Sequence, residues 1–338
     1  MKNDVALSLI LPVFNEQDSI SPFLERATPV IDEALALIGP DATAEFLFVD
    51  DGSLDRTGDI LKILAGLNPR IKLLSLSRNF GKEAALAAGI NHARGAAVIP
   101  IDVDLQDPPE LIIPMVRAWL DGAKVVNARR ADRNSDTLAK RWSAALFYKI
   151  INKLSDHPIP KNVGDFRLLD REAVEVLRSL REQGRFNKGL FSWIGFPVVF
   201  IDYEREARFA GMSKWRVSKL WNLALDAVTS STITPLRIWT YVGGTIAMGA
   251  FVYAMVLIVL ALSGRVDTPG YASLMVVTLM LGGLNLLSMG IIGEYLGRVA
   301  IEVRARPLYI VQSPDKGHEQ IFPPSGENGQ WTDQHMRA

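Results

Sequence analysis

Asp102 and Asp104 stand two residues apart, directly after the apolar run Ala97–Ile101 and directly before Asp107-Pro-Pro109. Where an extended strand ends, side chains i and i+2 leave on the same side. Two carboxylates so placed can hold a hard divalent cation, and Gln106 can add a carbonyl oxygen. Mg²⁺ and Mn²⁺ favour oxygen ligands of this kind and share them with substrate phosphates. A lone Asp-x-Asp also reads as a solvated acidic turn. Asp50-Asp51-Gly52-Ser53 ends a second apolar run. A carboxylate there could accept hydrogen bonds from a base N–H or a ribose hydroxyl, or the stretch could be a β-turn with Asp55 capping the next helix. Pro12-Val-Phe-Asn15-Glu16 ends a third run in the same abrupt way. No G-x-G-x-x-G follows it and no G-x-x-x-x-G-K-[ST] occurs, so Gly81-Lys82 is not a P-loop and a dinucleotide-binding enzyme is unsupported.

These groups need elements to bring them together. Apolar runs rich in β-branched residues recur at Val5–Val13, Glu45–Asp51, Ile71–Ser77, Ala96–Asp104 and Lys124–Ala128. Helical patterns fill Ser19–Leu37, Asp55–Leu67, Lys82–Ala93 and Pro109–Asp121. Short strands alternating with helices of this length predict an α/β fold with a mostly parallel sheet. Ligands in such sheets bind outside the carboxyl ends of the strands, which is where the three acidic stretches fall.

Composition narrows the class. Lys and Arg number 37 and so do Asp and Glu, giving no net charge; a nucleic-acid partner is not expected. There is no cysteine, which excludes disulfides, thiolate metal sites and cysteine nucleophiles. The start MKNDVALS has no basic region leading into a long apolar stretch, so no cleaved signal peptide is expected.

The pattern changes after Thr234. Ile238–Leu262 and Tyr271–Gly293 are uncharged runs of about 25 and about 23 residues, each long enough to cross a hydrocarbon core of roughly 30 Å. A short turn-like linker from Ser263 to Gly270 makes them a hairpin. Lys214, Arg216, Lys219 and Arg237 precede it, and Arg298, Arg304 and Arg306 follow it. The positive-inside rule then puts both termini in the cytoplasm. Between Lys214 and Ser230, the residues Val217, Leu220, Trp221, Ala224, Ala227 and Val228 recur at helical spacing. This face suits a helix lying in the membrane interface or packed on the preceding domain. Glu294–Arg306 should continue the second helix up to Pro307, Leu308–Gln312 should form a short strand, and the polar tail from Ser313 should be disordered. The expected organisation is a catalytic domain at 1–212, an interfacial helix at 213–233, the two spans within 234–297 and a cytoplasmic segment at 298–338.

Six stretches in this order resemble the family-2 glycosyltransferases of the GT-A fold, and within them the polyprenyl-phosphate glycosyltransferases: Pro12-Val-Phe-Asn-Glu16, Asp50-Asp-Gly-Ser-x-Asp55, Leu76-Ser-Arg-Asn-Phe-Gly-Lys-Glu-Ala-Ala85, Asp102-Val-Asp-Leu-Gln-Asp-Pro-Pro-Glu110, Asp165-Phe-Arg167 and Arg205-x-x-Arg208-x-x-Gly211-x-Ser213-Lys214. Gly293-Glu-Tyr-Leu-Gly-Arg298 and Arg306-Pro-x-Tyr309 resemble the bacterial two-span members. The resemblance implies that Pro12, Asn15, Glu16, Asp50 and Asp102 line the nucleotide pocket, with Asp50 reading the base. It implies that Asp102, Asp104 and Gln106 hold Mg²⁺ or Mn²⁺ and through it the pyrophosphate. Arg208, Ser213 and Lys214 would meet the acceptor phosphate or the donor pyrophosphate, with Arg129 and Arg141 as further phosphate contacts. Asp165 matches the position offered as base, although a phosphate acceptor is already anionic and favours an orienting role. Met212 departs from the acidic residue often found at its position.

The implied reaction is inverting transfer of a sugar, glucose from UDP-glucose first, to polyprenyl phosphate at the inner membrane. GDP-mannose, a UDP-N-acetylhexosamine or a non-lipid glycan acceptor are the alternatives, and a homo-oligomer, a tetramer by family precedent, is the implied assembly. A processive polysaccharide synthase would need more spans and a Gln-x-x-Arg-Trp motif, and neither is present. A non-enzymatic scaffold would leave the acidic strand ends without purpose.

Overall fold

The computed structural model describes residues 5–131, 160, 162–180, 182, 187–204 and 270–312, with scattered positions between 241 and 263. The predicted interfacial helix, most of the first predicted span, and Arg141, Arg208, Ser213 and Lys214 lie outside the described residues. The described residues fall into two compact units, one taking those between 5 and 204 together with 307–312, the other those between 241 and 306.

The first unit is built on a single sheet. Its strands are β1 (Leu7–Val13), β2 (Ala44–Asp50), β3 (Ile71–Ser75), β4 (Ala97–Pro100), β5 (Val125–Arg130), β6 (Val163–Asp170) and β7 (Val198–Tyr203). They lie in the order β3-β2-β1-β4-β6-β5-β7. Strand β6 runs antiparallel to both its neighbours, and the other pairs are parallel. The sheet is therefore mostly parallel, as the alternating pattern predicts.

Period-2 alternation divides the central strands between two apolar layers. Leu7, Leu9 and Leu11 of β1, Phe46 and Phe48 of β2, and Ala97 and Ile99 of β4 face one layer. Ile10, Leu47, Val49 and Val98 face the other. Helices α1 (Ile20–Ile38), α2 (Thr57–Leu67) and α4 (Ile112–Leu120) contribute to the first layer through residues such as Phe23, Ile31, Leu61 and Met115. Helices α3 (Lys82–His92), α5 (Arg171–Ser179) and α6 (Asn187–Trp193) contribute to the second. Strands buried on both faces are expected to be near-continuously apolar, which is how β1 and β2 read. In α3 close approach replaces bulk: a Cβ on Gly89 would stand 2.2 Å from Ile10 Cγ2.

Asp170 joins β6 to α5. Its carboxylate accepts hydrogen bonds from Trp119 Nε1 at 2.8 Å, Lys124 Nζ at 3.0 Å and Glu172 N at 3.1 Å, the last capping α5. Burial pushes this carboxyl up, but the three donors outweigh it and hold it below the usual carboxylate range. Asp170→Ala should cost about 1–2 kcal/mol near neutral pH. A folded-state pKa below the unfolded one gives stability that is present above about pH 4 and is lost as pH falls through the folded value. Denaturation curves should therefore show the gap between wild type and variant closing under acid.

The second unit contains α7 (Tyr271–Arg304), 34 residues long, which ends where Ala305 turns left-handed at φ 46°. The predicted continuation from Glu294 up to Pro307 agrees with this. Among the described residues, no helix is long and apolar enough to cross a membrane. Residues 308–312 return to the first unit. Val311 bridges Leu76 antiparallel, Ser77 N donates to Ile310 O at 2.9 Å and Gln312 N to Ser75 O at 2.7 Å. The expected short strand is thus a single bridge, pinned by the buried Tyr309, whose hydroxyl accepts from Asn91 Nδ2 at 3.0 Å.

Candidate active site

Parallel register brings three strand ends to one edge of the sheet. Val13 pairs with Asp50, and Ile10 pairs with Pro100. Beyond the strands, Asp51 N donates to Val13 O at 2.9 Å and Ile101 N to Ile10 O at 3.0 Å. Because β6 runs the other way, its far end (Leu169, Asp170) lies beside the start of β4 and its first residues, Val163–Asp165, come to the edge where β4 finishes. The antiparallel strand thus delivers Asp165 to the acidic strand ends from a distant part of the chain.

Each strand end is held by its own polar contacts. Asn15 adopts φ 54°, a left-handed conformation that Asn tolerates better than most residues. Its backbone N donates to Ser53 Oγ at 3.0 Å and its Oδ1 accepts from Leu54 N at 2.8 Å. Glu16 N donates to Thr57 Oγ1 at 2.9 Å, and Glu16 Oε2 accepts from Ser19 Oγ at 2.9 Å. Asp50 Oδ1 accepts from Ser53 N at 2.9 Å. Asn15, Glu16 and Asp50 therefore shape the turn after β2 as well as facing the same edge, and Pro12 sits half-buried opposite Val49. Gly52 permits the turn: at φ 69° a Cβ there would lie 2.6 Å from Arg78 C.

Asp51 has a different task from Asp50. Its two carboxylate oxygens accept Phe80 N at 2.7 Å and Gly81 N at 2.9 Å, fastening the loop before α3 to the end of β2. Burial is the largest influence on this carboxyl and raises it above the usual range despite those two donors.

Strand β4 is shorter than the apolar run Ala96–Asp104 predicts. It stops at Pro100, whose ring nitrogen has no proton to give; Ile101 N still donates to Ile10 O, and Asp102 and Asp104 lie beyond the strand, Asp104 in a turn. Leu105 between Asp104 and Gln106 takes φ 57°, a strained conformation for a bulky residue, and Gln106 N donates to Asp104 Oδ1 at 3.2 Å. Two residues on, Tyr203 at the end of β7 donates its hydroxyl to the buried Asp107 Oδ1. Burial and Asp107 together raise the Tyr203 pKa, so the hydroxyl stays a donor.

Asp165 is brought within reach of this loop, and Lys82 marks the meeting point. The Lys82 ammonium lies 2.7 Å from Asp102 Oδ2 and 2.8 Å from Asp165 Oδ2. Partial desolvation pulls this half-exposed lysine down, but the two carboxylates outweigh it and hold its pKa above the ordinary value. Arg167 supports Asp165 from behind. Its buried guanidinium rests 3.8 Å from the Phe191 ring centroid, donates to Gly164 O at 2.6 Å and contacts Asp165 O at 3.3 Å. Burial lowers its pKa to about 10, still well above neutral. Lys82 and Arg167 were visible in the sequence as members of motifs, but nothing there assigned them these contacts.

Arg129 occupies β5 opposite Val163, near the same edge. Its fork is taken by Asp202, at 2.6 and 2.8 Å, so a phosphate there would compete with a bidentate carboxylate. Among the described residues, no group of three or more His, Asp or Glu side chains is placed to hold a metal. Asp102 and Asp104 alone suit an ion such as Mg²⁺, which takes one or two carboxylates and draws its remaining ligands from phosphates and water.

The profile of glycosyl transferase family 2 matches residues 8–178, the stretch that builds this sheet edge. The chain belongs to glycosyltransferase family 2. As a family-2 enzyme it has the GT-A type of α/β fold, with the acidic loop after β4 at the carboxyl edge. The GtrB C-terminal hairpin profile matches residues 234–299. An uncharacterized glycosyltransferase of Synechocystis sp. is 47% identical over 91% of this chain and 95% of its own. The SfII prophage-derived bactoprenol glucosyl transferase of Shigella flexneri is 45% identical over 92% of this chain and 99% of its own. A prophage bactoprenol glucosyl transferase homolog of Escherichia coli K12 is 44% identical over the same shares.

Proposed function

We propose that this family-2 enzyme transfers glucose from UDP-glucose to a polyprenyl phosphate, releasing UDP. The observation that carries the reading is the 45% identity to a bactoprenol glucosyl transferase along nearly the whole of both chains, hairpin region included. The donor nucleotide binds at the ends of β1 and β2, against Pro12, Asn15, Glu16 and Asp50. Asp102, Asp104 and Gln106 are the residues that would hold Mg²⁺ or Mn²⁺. When bound, the ion supplies positive charge beside the diphosphate that leaves as the bond to the sugar breaks. Asp165 orients the acceptor on the opposite side of the sugar. The acceptor phosphate is already an anion at neutral pH and needs no strong base. One displacement inverts the anomeric centre, so an α-linked donor gives a β-linked lipid product. Arg208, Ser213 and Lys214 receive the phosphates, with Arg129 and Arg141 as supplementary contacts.

The organisation of the chain fits this reaction. A catalytic domain at 1–212 leads through an interfacial helix at 213–233 into a two-helix hairpin within 234–297, with both termini on the cytoplasmic side of the inner membrane. The uncharged runs Ile238–Leu262 and Tyr271–Gly293 and the flanking basic residues support this placement. A polyprenyl phosphate keeps its charged head at the interface, so an active site tethered there meets it without lifting the lipid tail into water. The enzyme works as a homo-oligomer, with a tetramer as the proposed state.

The test is transfer in detergent, with undecaprenyl phosphate, Mg²⁺ or Mn²⁺, and a panel of radiolabelled UDP- and GDP-sugars. Label from UDP-glucose should enter the organic phase. EDTA should abolish the transfer and added Mn²⁺ should restore it. Label from a different donor would replace the sugar assignment. No lipid-linked label from any donor, by a folded protein that binds UDP, would sink the lipid-acceptor reading.

A further inference from the structure

Lys82 is the residue whose geometry asks for more than the reaction has so far used. It is the first residue of α3, and its backbone is fixed from behind because Gly81 N and Phe80 N are bound by Asp51. From that fixed start its ammonium spans two carboxylates of separate origin. Asp102 belongs to the loop after β4 and Asp165 to the beginning of β6; in the reaction proposed above the first serves the donor and the second the acceptor. Asp165 is braced in turn through the buried Arg167, which holds the Gly164 and Asp165 carbonyls. A divalent ion taking Asp102 must share an oxygen region with a positive charge already 2.7 Å from Oδ2. Two cations so close repel each other. The contact with Asp102 is thus the one that donor loading weakens, whereas the contact with Asp165 is not opposed.

We propose that Lys82 is a positioning residue that couples the two halves of the site: it yields Asp102 to the metal-bound donor and then holds Asp165 alone in the orientation that receives the acceptor. The proposal rests on the metal-and-donor reading given above and adds a residue that this reading leaves idle. It predicts opposite signs for two measurements. Removing the ammonium should strengthen cation binding at Asp102 and Asp104, because a competitor is gone. The same change should slow transfer, because Asp165 loses the Lys82 ammonium that orients it.

The experiment titrates Mn²⁺ into the full chain in detergent and counts free ion by electron paramagnetic resonance, with Asp104→Asn defining binding outside the site. Lys82→Met should bind Mn²⁺ about tenfold more tightly than wild type. Its kcat should fall about a hundredfold, with little change in donor KM. Lys82→Arg, which keeps the charge, should stay near wild type in Mn²⁺ affinity and recover part of kcat. Lys82→Gln is a second charge-removing variant and should move Mn²⁺ binding in the same direction as Lys82→Met. If Mn²⁺ affinity is unchanged or weaker in Lys82→Met and Lys82→Gln, the coupling role is overturned and Lys82 is a structural strut. If no chain, wild type included, shows Mn²⁺ binding that depends on Asp104, the metal reading itself fails and the Lys82 proposal with it.

Discussion

Asp104→Asn should reduce sugar transfer on the order of a thousandfold while leaving the fold intact. The substitution is close to isosteric. Its amide oxygen can still accept the Gln106 N–H that Asp104 Oδ1 accepts at 3.2 Å, so the turn through the strained Leu105 keeps its internal bond. What disappears is one negative charge at a nearly buried position, 7% exposed. In the proposed reaction, a divalent ion held by Asp102 and Asp104 would lose half of its protein carboxylate charge, and the leaving diphosphate would lose the ion's support. The checks are transfer rates at saturating donor beside thermal melts of both proteins. A variant that keeps more than a tenth of wild-type kcat would remove Asp104 from the metal site.

Asp51→Ala should cost about 2–4 kcal/mol of stability and abolish transfer as well. Asp51 is 3% exposed and its two oxygens satisfy two backbone donors, Phe80 N and Gly81 N. Truncation strands both donors at the start of α3. Asn is not a safe replacement either, because its amide NH₂ must face one of the two N–H groups. The functional loss follows from position: releasing the Phe80-Gly81 backbone releases Lys82, which reaches Asp102 and Asp165 from that point. Denaturation in detergent should show both variants well below wild type. A wild-type melting curve for Asp51→Ala would mean that the loop is held by something other than this carboxylate.

The two aspartates of Asp50-Asp51 show how far the sequence can be read. Its apolar run located the strand end, and the Gly after it located the turn. Neighbouring side chains on a strand point to opposite faces, so one carboxylate serves the turn at Ser53 and the other the loop at Gly81. Nothing local says which loop will arrive on which face, since Phe80 lies 29 residues beyond Asp51. The first five strands and four helices were legible because each is a contiguous run with its own periodicity. β4 came out short because Pro100 brings no N–H to the sheet inside a run that hydrophobicity alone would extend, although Ile101 N still donates to Ile10 O. β6 was hidden for a different reason. Its sequence VGDFRLLD mixes buried apolar residues with Asp165 and Arg167, so its pattern as a strand is weak. Asp165 was found through a motif and not through an element, and only the antiparallel pairing with β4 explains why it belongs beside Asp102. Lys82 read as an ordinary basic residue at a helix start until two distant carboxylates were placed around it.

The docked segment 308–312 bears on the order in which the molecule is made. A ribosome delivers β1 to β7 first, then the uncharged runs Ile238–Leu262 and Tyr271–Gly293, and only afterwards the residues that cover Leu76 and bury Tyr309. Until Gln312 has emerged, the Ser75 carbonyl and the Ser77 amide at the margin of β3 have no chain partner from this segment, and an unpaired strand edge is an invitation to the wrong neighbour. Completion of the catalytic unit is therefore scheduled after synthesis of the hydrophobic segments. A nascent chain stalled or cut before residue 307 would carry nearly all of the active-site residues and still present an open sheet margin.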